Sequence, residues 1–279
     1  MMALAKEIKE NNFLKSNGFF KFQPRININL EIGSYILKTA DSKKELIDSF
    51  KLRHEVFYQE FQEVESSGYD IDQFDSHFDH LVIIHKESHK VIGTYRLNCT
   101  DFSKLSYTEQ EFNLTEIYKL KGPQIELGRA CIQKDHRRGA TVISLLWRGI
   151  IEYMNVSGAN VLFGCSSVKI NTAREAALVY KFLQDQDSIM SGELATPTPN
   201  FKMSEFDEYF SSFQGGLTQV QCEEAEVLIP SLLKSYLKLG AKIASVPAFD
   251  KDFDCVDMLT VLKKEEIADS LTRRFQVVH

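Results

Sequence analysis

The sequence predicts an α/β fold, an α+β arrangement around a mixed sheet, on three observations. First, residues 123–132 read as a strand in which Ile125, Leu127 and Cys131 alternate with Glu126 and Arg129. An amphipathic helix carrying Val142, Leu145, Leu146, Gly149 and Ile150 follows, and then the apolar run 159–165, which has the texture of a buried strand. A strand, helix and strand over this distance imply a right-handed crossover and a parallel pair. Second, residues 81–84 and 91–97 read as antiparallel strands joined by a turn at 86–90. Third, the strand 35–39 runs into Asp41-Ser42 with Glu45 three residues after Ser42, a capping box that starts a helix.

Along that first helix Leu46, Phe50, Phe57 and Phe61 form a stripe of period 3.6. Arg53 lies on the stripe and is expected to point inward, which requires a charged partner. The segment 69–80 offers Asp70, Asp72, Asp75 and Asp79 with Phe74 and Phe78 between them. It reads either as an acidic surface loop or as an acidic wall that binds a cationic substrate and pairs with Arg53. It lacks the glycine and terminal glutamate of a calcium loop. Arg96 is a second guanidinium carried on a strand.

A helix is expected near 108–120 and another over 173–184. Residues 185–221 contain Pro197, Pro199 and Gly215-Gly216 among scattered aromatics and read as an irregular insertion or lid. A helix over 228–239 is predicted with Pro230 in its first turn and Gly240 past its end. Strands at 241–246 and 256–262 flank the loop 247–254.

With 279 residues, 43% of them hydrophobic, the chain can bury a full core. The organisation read here is an extension over 1–34 and a single domain over 35–279. A net charge of −6 argues against a general nucleic-acid binder. Five cysteines, scattered and never in a CxxC pair, argue against a disulfide scaffold and structural zinc and fit a reducing cytoplasm. No HExxH motif occurs, and no metal is expected. Residues 1–22 lack the apolar core of a secretory signal, and no run of about eighteen apolar residues spans a membrane. The N-terminal stretch reads as a tail or as a peripheral contact with the inner face of the cytoplasmic membrane.

The chemistry gathers around the strand 123–132. It leads through Lys134, His136, Arg137, Arg138 and Gly139 into a helix whose first turn presents unpaired N–H groups. Such a junction suits a phosphate-bearing acyl donor. Glu126 and Arg129, beside that turn, can supply the chemistry.

The motifs Leu52-Arg53-His54-Glu55-Val56-Phe57, Tyr69-Asp70 with Asp72, Phe74 and Asp75, His80-Leu81-Val82, Gly93-Thr94-Tyr95-Arg96-Leu97 and Glu126-Leu127-Gly128-Arg129 occur in one order along the chain. With the run 232–242, Pro247-Ala248-Phe249-Asp250 and Phe253, they resemble the ornithine-acyl-[acyl carrier protein] N-acyltransferases, the hemolysin-like bacterial enzymes that start ornithine-lipid synthesis. The resemblance spans residues 35–262. It implies the GCN5-related N-acetyltransferase (GNAT) fold, shared with acyl-homoserine lactone synthases, and marks Asp72, Asp75, Arg96, Glu126 and Arg129. Where a CoA-using relative carries an Arg/Gln-x-x-Gly-x-Gly/Ala loop, this chain has His136-Arg137-Arg138-Gly139-Ala140-Thr141, with one glycine. Fewer glycines hold the backbone away from a pyrophosphate, which suits acyl-phosphopantetheine on an acyl carrier protein. Lys134, Arg137, Arg138 and Gly139 are the expected docking positions.

The expected reaction moves a long-chain acyl group, 3-hydroxylated or not, to the α-amine of ornithine and gives the lyso lipid, since no His-x4-Asp motif for a second acylation is present. No permanently bound cofactor is needed. Glu126 is the candidate base, with Asp72 and Asp75 as alternatives or as a seat for the cationic end. Arg96 and Arg129 are candidates for the acceptor's carboxylate or for ion pairs that hold the fold, and Arg53 completes the substrate-binding set. Another N-acyl amino acid synthase, an acyl-homoserine lactone synthase and a non-catalytic acyl-carrier or lipid-binding protein stay open as alternatives.

Overall fold

The computed structural model describes residues 16, 18–19, 22–66, 68–192 and 194–267. The proposed N-terminal lipid contact falls almost entirely outside them. The chain divides into two compact units, Met1–Leu105 with Leu127–Ala159, and Ser106–Glu126 with Asn160–His279. Among the described residues no helix is long and apolar enough to cross a membrane.

In the first unit β1 (Asn29–Ile32), β2 (Tyr35–Thr39), β3 (Asp79–His85) and β4 (Lys90–Cys99) pair antiparallel in that order, the short turns between β1 and β2 and between β3 and β4 allowing no other pairing. β1 lies ahead of the expected start at Tyr35 and extends the sheet. The helix α1 (Lys43–His54) begins with the predicted capping box, Ser42 accepting from the Glu45 N–H. Past His54 the coil widens into a π-helical stretch, Glu55–Phe61. Beyond β4 lies β6 (Gln124–Ile132), whose following residue Gln133 donates from its N–H to the Ile92 carbonyl at 2.8 Å. The helix α2 (Thr141–Ser157) packs on this sheet through Gly149, where a Cβ would stand 2.7 Å from Leu37 Cδ1 and Leu81 Cδ2. Close approach of helix to sheet therefore requires glycine there.

In the second unit the first residues of β6, Gln124 to Glu126, run parallel to Val161–Phe163 of β7 (Val161–Val168), the crossover pair expected from the sequence. β7 then pairs antiparallel with β11 (Cys255–Lys263), which pairs with β9 (Lys242–Ile243) and β10 (Ala248–Asp250). The sheet is therefore mixed. The helix α3 (Ala173–Asp185) starts at Thr172, whose side chain accepts from the Glu175 N–H.

Three expectations are corrected. No helix forms over 108–120: two short 3-10 turns, Thr108–Gln110 and Ile117–Lys119, flank β5 (Phe112–Asn113), which pairs with β8 (Thr196–Pro197). Phe112 and Leu114 are both fully buried at a spacing of two, which one helix face does not provide. The insertion is partly regular, with α4 (Phe206–Ser212) and the start of α5 (Gln219–Leu228) inside it. Its Met203, Phe206 and Phe213 share one core with Leu178, Val179 and Leu183 of α3. Finally, the helix predicted over 228–239 forms with a later start, after Pro230, and with Gly240 past its end as expected. Lacking an N–H, Pro230 caps α6 (Ser231–Lys238) instead of continuing α5.

Candidate active site

In the first unit three arginines and three aspartates close a ring in which each arginine bridges two aspartates and each aspartate two arginines. Arg53 Nε lies 2.6 Å from Asp70 Oδ2, and Arg129 Nε 3.1 Å from the same oxygen. Arg129 Nη2 lies 3.1 Å from Asp72 Oδ2, and Arg96 Nη1 2.6 Å from Asp72 Oδ1. Arg96 Nη1 also reaches Asp75 Oδ1 at 3.0 Å, and Arg53 returns to that oxygen through Nη1 at 2.7 Å. The arginines come from α1, β4 and β6, and the aspartates from the one loop that follows the π-helical stretch. Aromatic faces cover the charges: Phe74 and Phe78 stand 5.7 and 5.5 Å from the Arg96 guanidinium, and Phe50 stands 5.2 Å from that of Arg53. This accounts for the unusual mixture of aspartate and phenylalanine in residues 69–80.

Arg53 and Asp75 are wholly buried. Burial works against both charges, and the partners outweigh it. Asp75 and Asp70 raise the Arg53 pKa, while Arg53 and Arg96 hold the Asp75 carboxyl well below the usual range. Asp70 is lowered in the same way by Arg53 and Arg129. The inward Arg53 with acidic partners is as the sequence reading has it. The acidic wall, however, is matched one for one by guanidinium groups. Asp79 stands outside the ring, accepting from the N–H groups of Arg25 and Ile26 and from the Tyr153 hydroxyl.

Arg129 reaches the ring from a left-handed backbone, φ +49°, inside β6. A non-glycine residue there is costly and marks a local break in the pleat. Beyond β6, Arg137 donates to Glu60 at 2.7 and 3.1 Å and to the Ile132 carbonyl. Lys134, Arg138 and Gly139 are exposed in the approach to α2. Gly139 takes φ +81°, a conformation that favours glycine.

Glu126 belongs to the second unit. It is 4% exposed, and its Oε1 accepts from both the N–H and the hydroxyl of Thr108 at 2.7 Å, while Oε2 accepts from the Tyr107 N–H at 3.3 Å. The turn that replaces the predicted helix thus points its first donors at this carboxylate. Thr108 was not a sequence candidate, because nothing in the spacing links it to Glu126, 18 residues on. Nor was the buried group of Glu111, Asp250 and Asp257, the one set among the described residues arranged as a metal ion would need. Its members lie far apart in the chain and come together only through β10 and β11.

The model of the acetyltransferase (GNAT) domain family matches residues 52–148, a span holding the whole ring, Glu126 and the basic turn. The chain is 27% identical over 253 residues to an L-ornithine N(alpha)-acyltransferase of Brucella abortus (strain 2308), covering 85% of this chain and 87% of that protein. It is also 27% identical over 278 residues to an L-ornithine N(alpha)-acyltransferase of Agrobacterium fabrum, covering 94% and 92%. Among solved structures, a CoA-dependent acyl-homoserine lactone synthase aligns over 85% of this chain and 84% of its own at 14% identity and a TM-score of 0.47. The chain thus matches the acetyltransferase (GNAT) domain over residues 52–148 and is similar to L-ornithine N(alpha)-acyltransferases over most of its length.

Proposed function

We propose that this protein is an amino acid N-acyltransferase that moves a long-chain acyl group from acyl carrier protein to the α-amine of ornithine, giving lyso-ornithine lipid. The observation that carries this reading is the match to relatives of that name over 81% or more of the chain. The amine nitrogen attacks the thioester carbonyl carbon, the C–S bond breaks, and the thiol leaves with a proton. An amine is mostly protonated at neutral pH, so a base must take a proton before the nitrogen can attack. Glu126, held by Thr108 and Tyr107, fills that role better than Asp72 or Asp75, which are engaged by arginines.

In this reading the ring is chiefly positional and ties the residue 70–79 loop to three elements. Arg129, whose side chain is 13% exposed against 2% for Arg96 and 0% for Arg53, is the most accessible arginine of the ring. Lys134 and Arg138, exposed on an acidic chain, favour an acidic carrier protein as donor.

The test is mass spectrometry of lipids from a host that lacks ornithine lipids and expresses the chain or its Glu126→Gln variant. A new N-acylornithine with the wild type, lost or strongly reduced in the variant, is expected. No acylated amine from a folded protein with carrier protein present would overturn the reading in favour of a binding protein.

A further inference from the structure

Within the second unit, Glu111, Asp250 and Asp257 bring carboxylate oxygens within 4.8 Å of one another at 1%, 5% and 2% exposure. Glu111 follows the turn that holds Glu126, Asp250 ends β10 and Asp257 lies on β11. Part of their capacity is used. Asp250 Oδ1 accepts from the N–H groups of Asp252 and Phe253, and Asp257 Oδ1 accepts from the Ser167 hydroxyl at 2.7 Å. Glu111 Oε2 is buried and has no hydrogen-bond partner. No lysine or arginine among the described residues pairs with any of the three. Such a group is costly to bury without a counter-charge. Burial first, and then Asp257 and Asp250, push the Glu111 carboxyl up to about 9, and burial pushes Asp257 to about 6.

The surroundings of this trio indicate which cation suits it. Cys165 Sγ lies 3.9 Å from Thr108 Oγ1, the hydroxyl bound to Glu126. Burial, and then the charges of Glu111 and Asp257, push the Cys165 thiol well up. Glu111 donates its N–H to the Thr108 carbonyl at 3.1 Å, so the trio and the carboxylate proposed as base share the turn at Thr108. An ammonium offers three N–H donors, one for each carboxylate. Calcium requires six to eight oxygen ligands, and magnesium keeps several waters that an apolar shell of Phe112, Ala248 and Leu259 does not favour.

We propose that Glu111, Asp250 and Asp257 form the subsite for the side-chain ammonium of a diamino acid acceptor, an inference that rests on the N-acyltransferase function proposed above. The α-amine is then presented to Glu126 while the distal ammonium fills the trio. An acceptor of the same length without that ammonium leaves Glu111 Oε2 unmatched and the other two carboxyl groups without a counter-charge, and a site built around a polar group rejects the analogue lacking it strongly.

The experiment compares ornithine with norvaline, which has the same carbon chain and no distal amine, as acceptors for the full-length protein with acyl carrier protein thioester. The wild type is expected to favour ornithine by at least about 10²-fold in kcat/KM. The ratio should collapse at least about tenfold in Glu111→Gln and Asp257→Asn, chiefly through the KM for ornithine. Equal use of ornithine and norvaline by the wild type overturns the subsite and leaves the acyltransferase reading standing, whatever the variants do. Failure to acylate any amino acid removes both. Stoichiometric divalent metal in the purified wild type, lost in Glu111→Gln, overturns the ammonium assignment in favour of a metal site.

Discussion

Arg53 and Asp75 meet fork to fork, Nη1 2.7 Å from Oδ1 and Nη2 3.0 Å from Oδ2, with neither side chain exposed. Removing one partner strands the other charge in the interior. Asp75→Asn or Arg53→Met should destabilise the protein by about 3–5 kcal/mol in denaturant unfolding. Changing both should cost less than the sum, because the second change removes the stranded charge. Strict additivity would mean that the pair is not coupled.

Thr108→Val keeps the backbone donor to Glu126 and the side-chain shape but deletes the hydroxyl bond. A hydrogen bond to a charged group contributes about 1.5–3 kcal/mol. If Thr108 positions the base, kcat should fall about tenfold or more with little change in KM, and Thr108→Ser should recover most of it. A kcat that stays at the wild-type value in Thr108→Val would remove Thr108 from the mechanism.

Stability should depend on pH through two buried groups of opposite sign. Glu111 is raised from 4.5 to about 9, so the folded chain holds a proton that the unfolded chain has released, and stability declines as pH rises across that window. His80, lowered mainly by burial from 6.5 to about 4, is neutral in the folded chain where the unfolded one is charged, so stability is lost as pH falls from 6.5 to 4. From pH 4.5 to 6.5 these two slopes offset each other, while Asp257, raised from 3.8 to about 6, adds to the Glu111 slope. Above 6.5 the Glu111 slope is unopposed, so melting temperatures should fall from about pH 4.5 to 9. Glu111→Gln should remove the decline above pH 6.5, and a steep decline surviving there in that variant would assign it to other groups.

Charge reversal at Lys134 and Arg138 tests the donor. Both are exposed, whereas Arg137 is tied to Glu60 and is a poorer probe. Lys134→Glu with Arg138→Glu should raise the KM for the carrier-bound thioester about tenfold at low salt, less at high salt, with a smaller effect on short thioester analogues. Equal effects on both donors would argue against carrier docking at this turn.

What could be read in the sequence was what local rules control. The Ser42 capping box, the parallel crossover onto β7 and the inward Arg53 on an apolar stripe each follow from spacing within one or two elements. What could not be read depended on partners distant in the chain. Residues 108–120, read as a helix, instead turn to place Thr108 on Glu126 and Phe112 in the core. The glycines and prolines of residues 185–221 hide an aromatic cluster in which Phe206 and Phe210 stack at 5.7 Å and both meet Tyr180 edge-on. Glu111 looks like one surface acid among many until β10 and β11 set Asp250 and Asp257 beside it.

The closed ring also constrains how the chain can change over time. Three positive and three negative members cancel, so any single replacement that alters charge leaves an imbalance in a nearly dry interior. Neutral drift at these six positions is therefore blocked one at a time. In a lineage of homologues, Arg53, Asp70, Asp72, Asp75, Arg96 and Arg129 should be inherited as a block or exchanged in opposite-charge pairs, and covariation among them should follow the order of the ring rather than the order of the sequence.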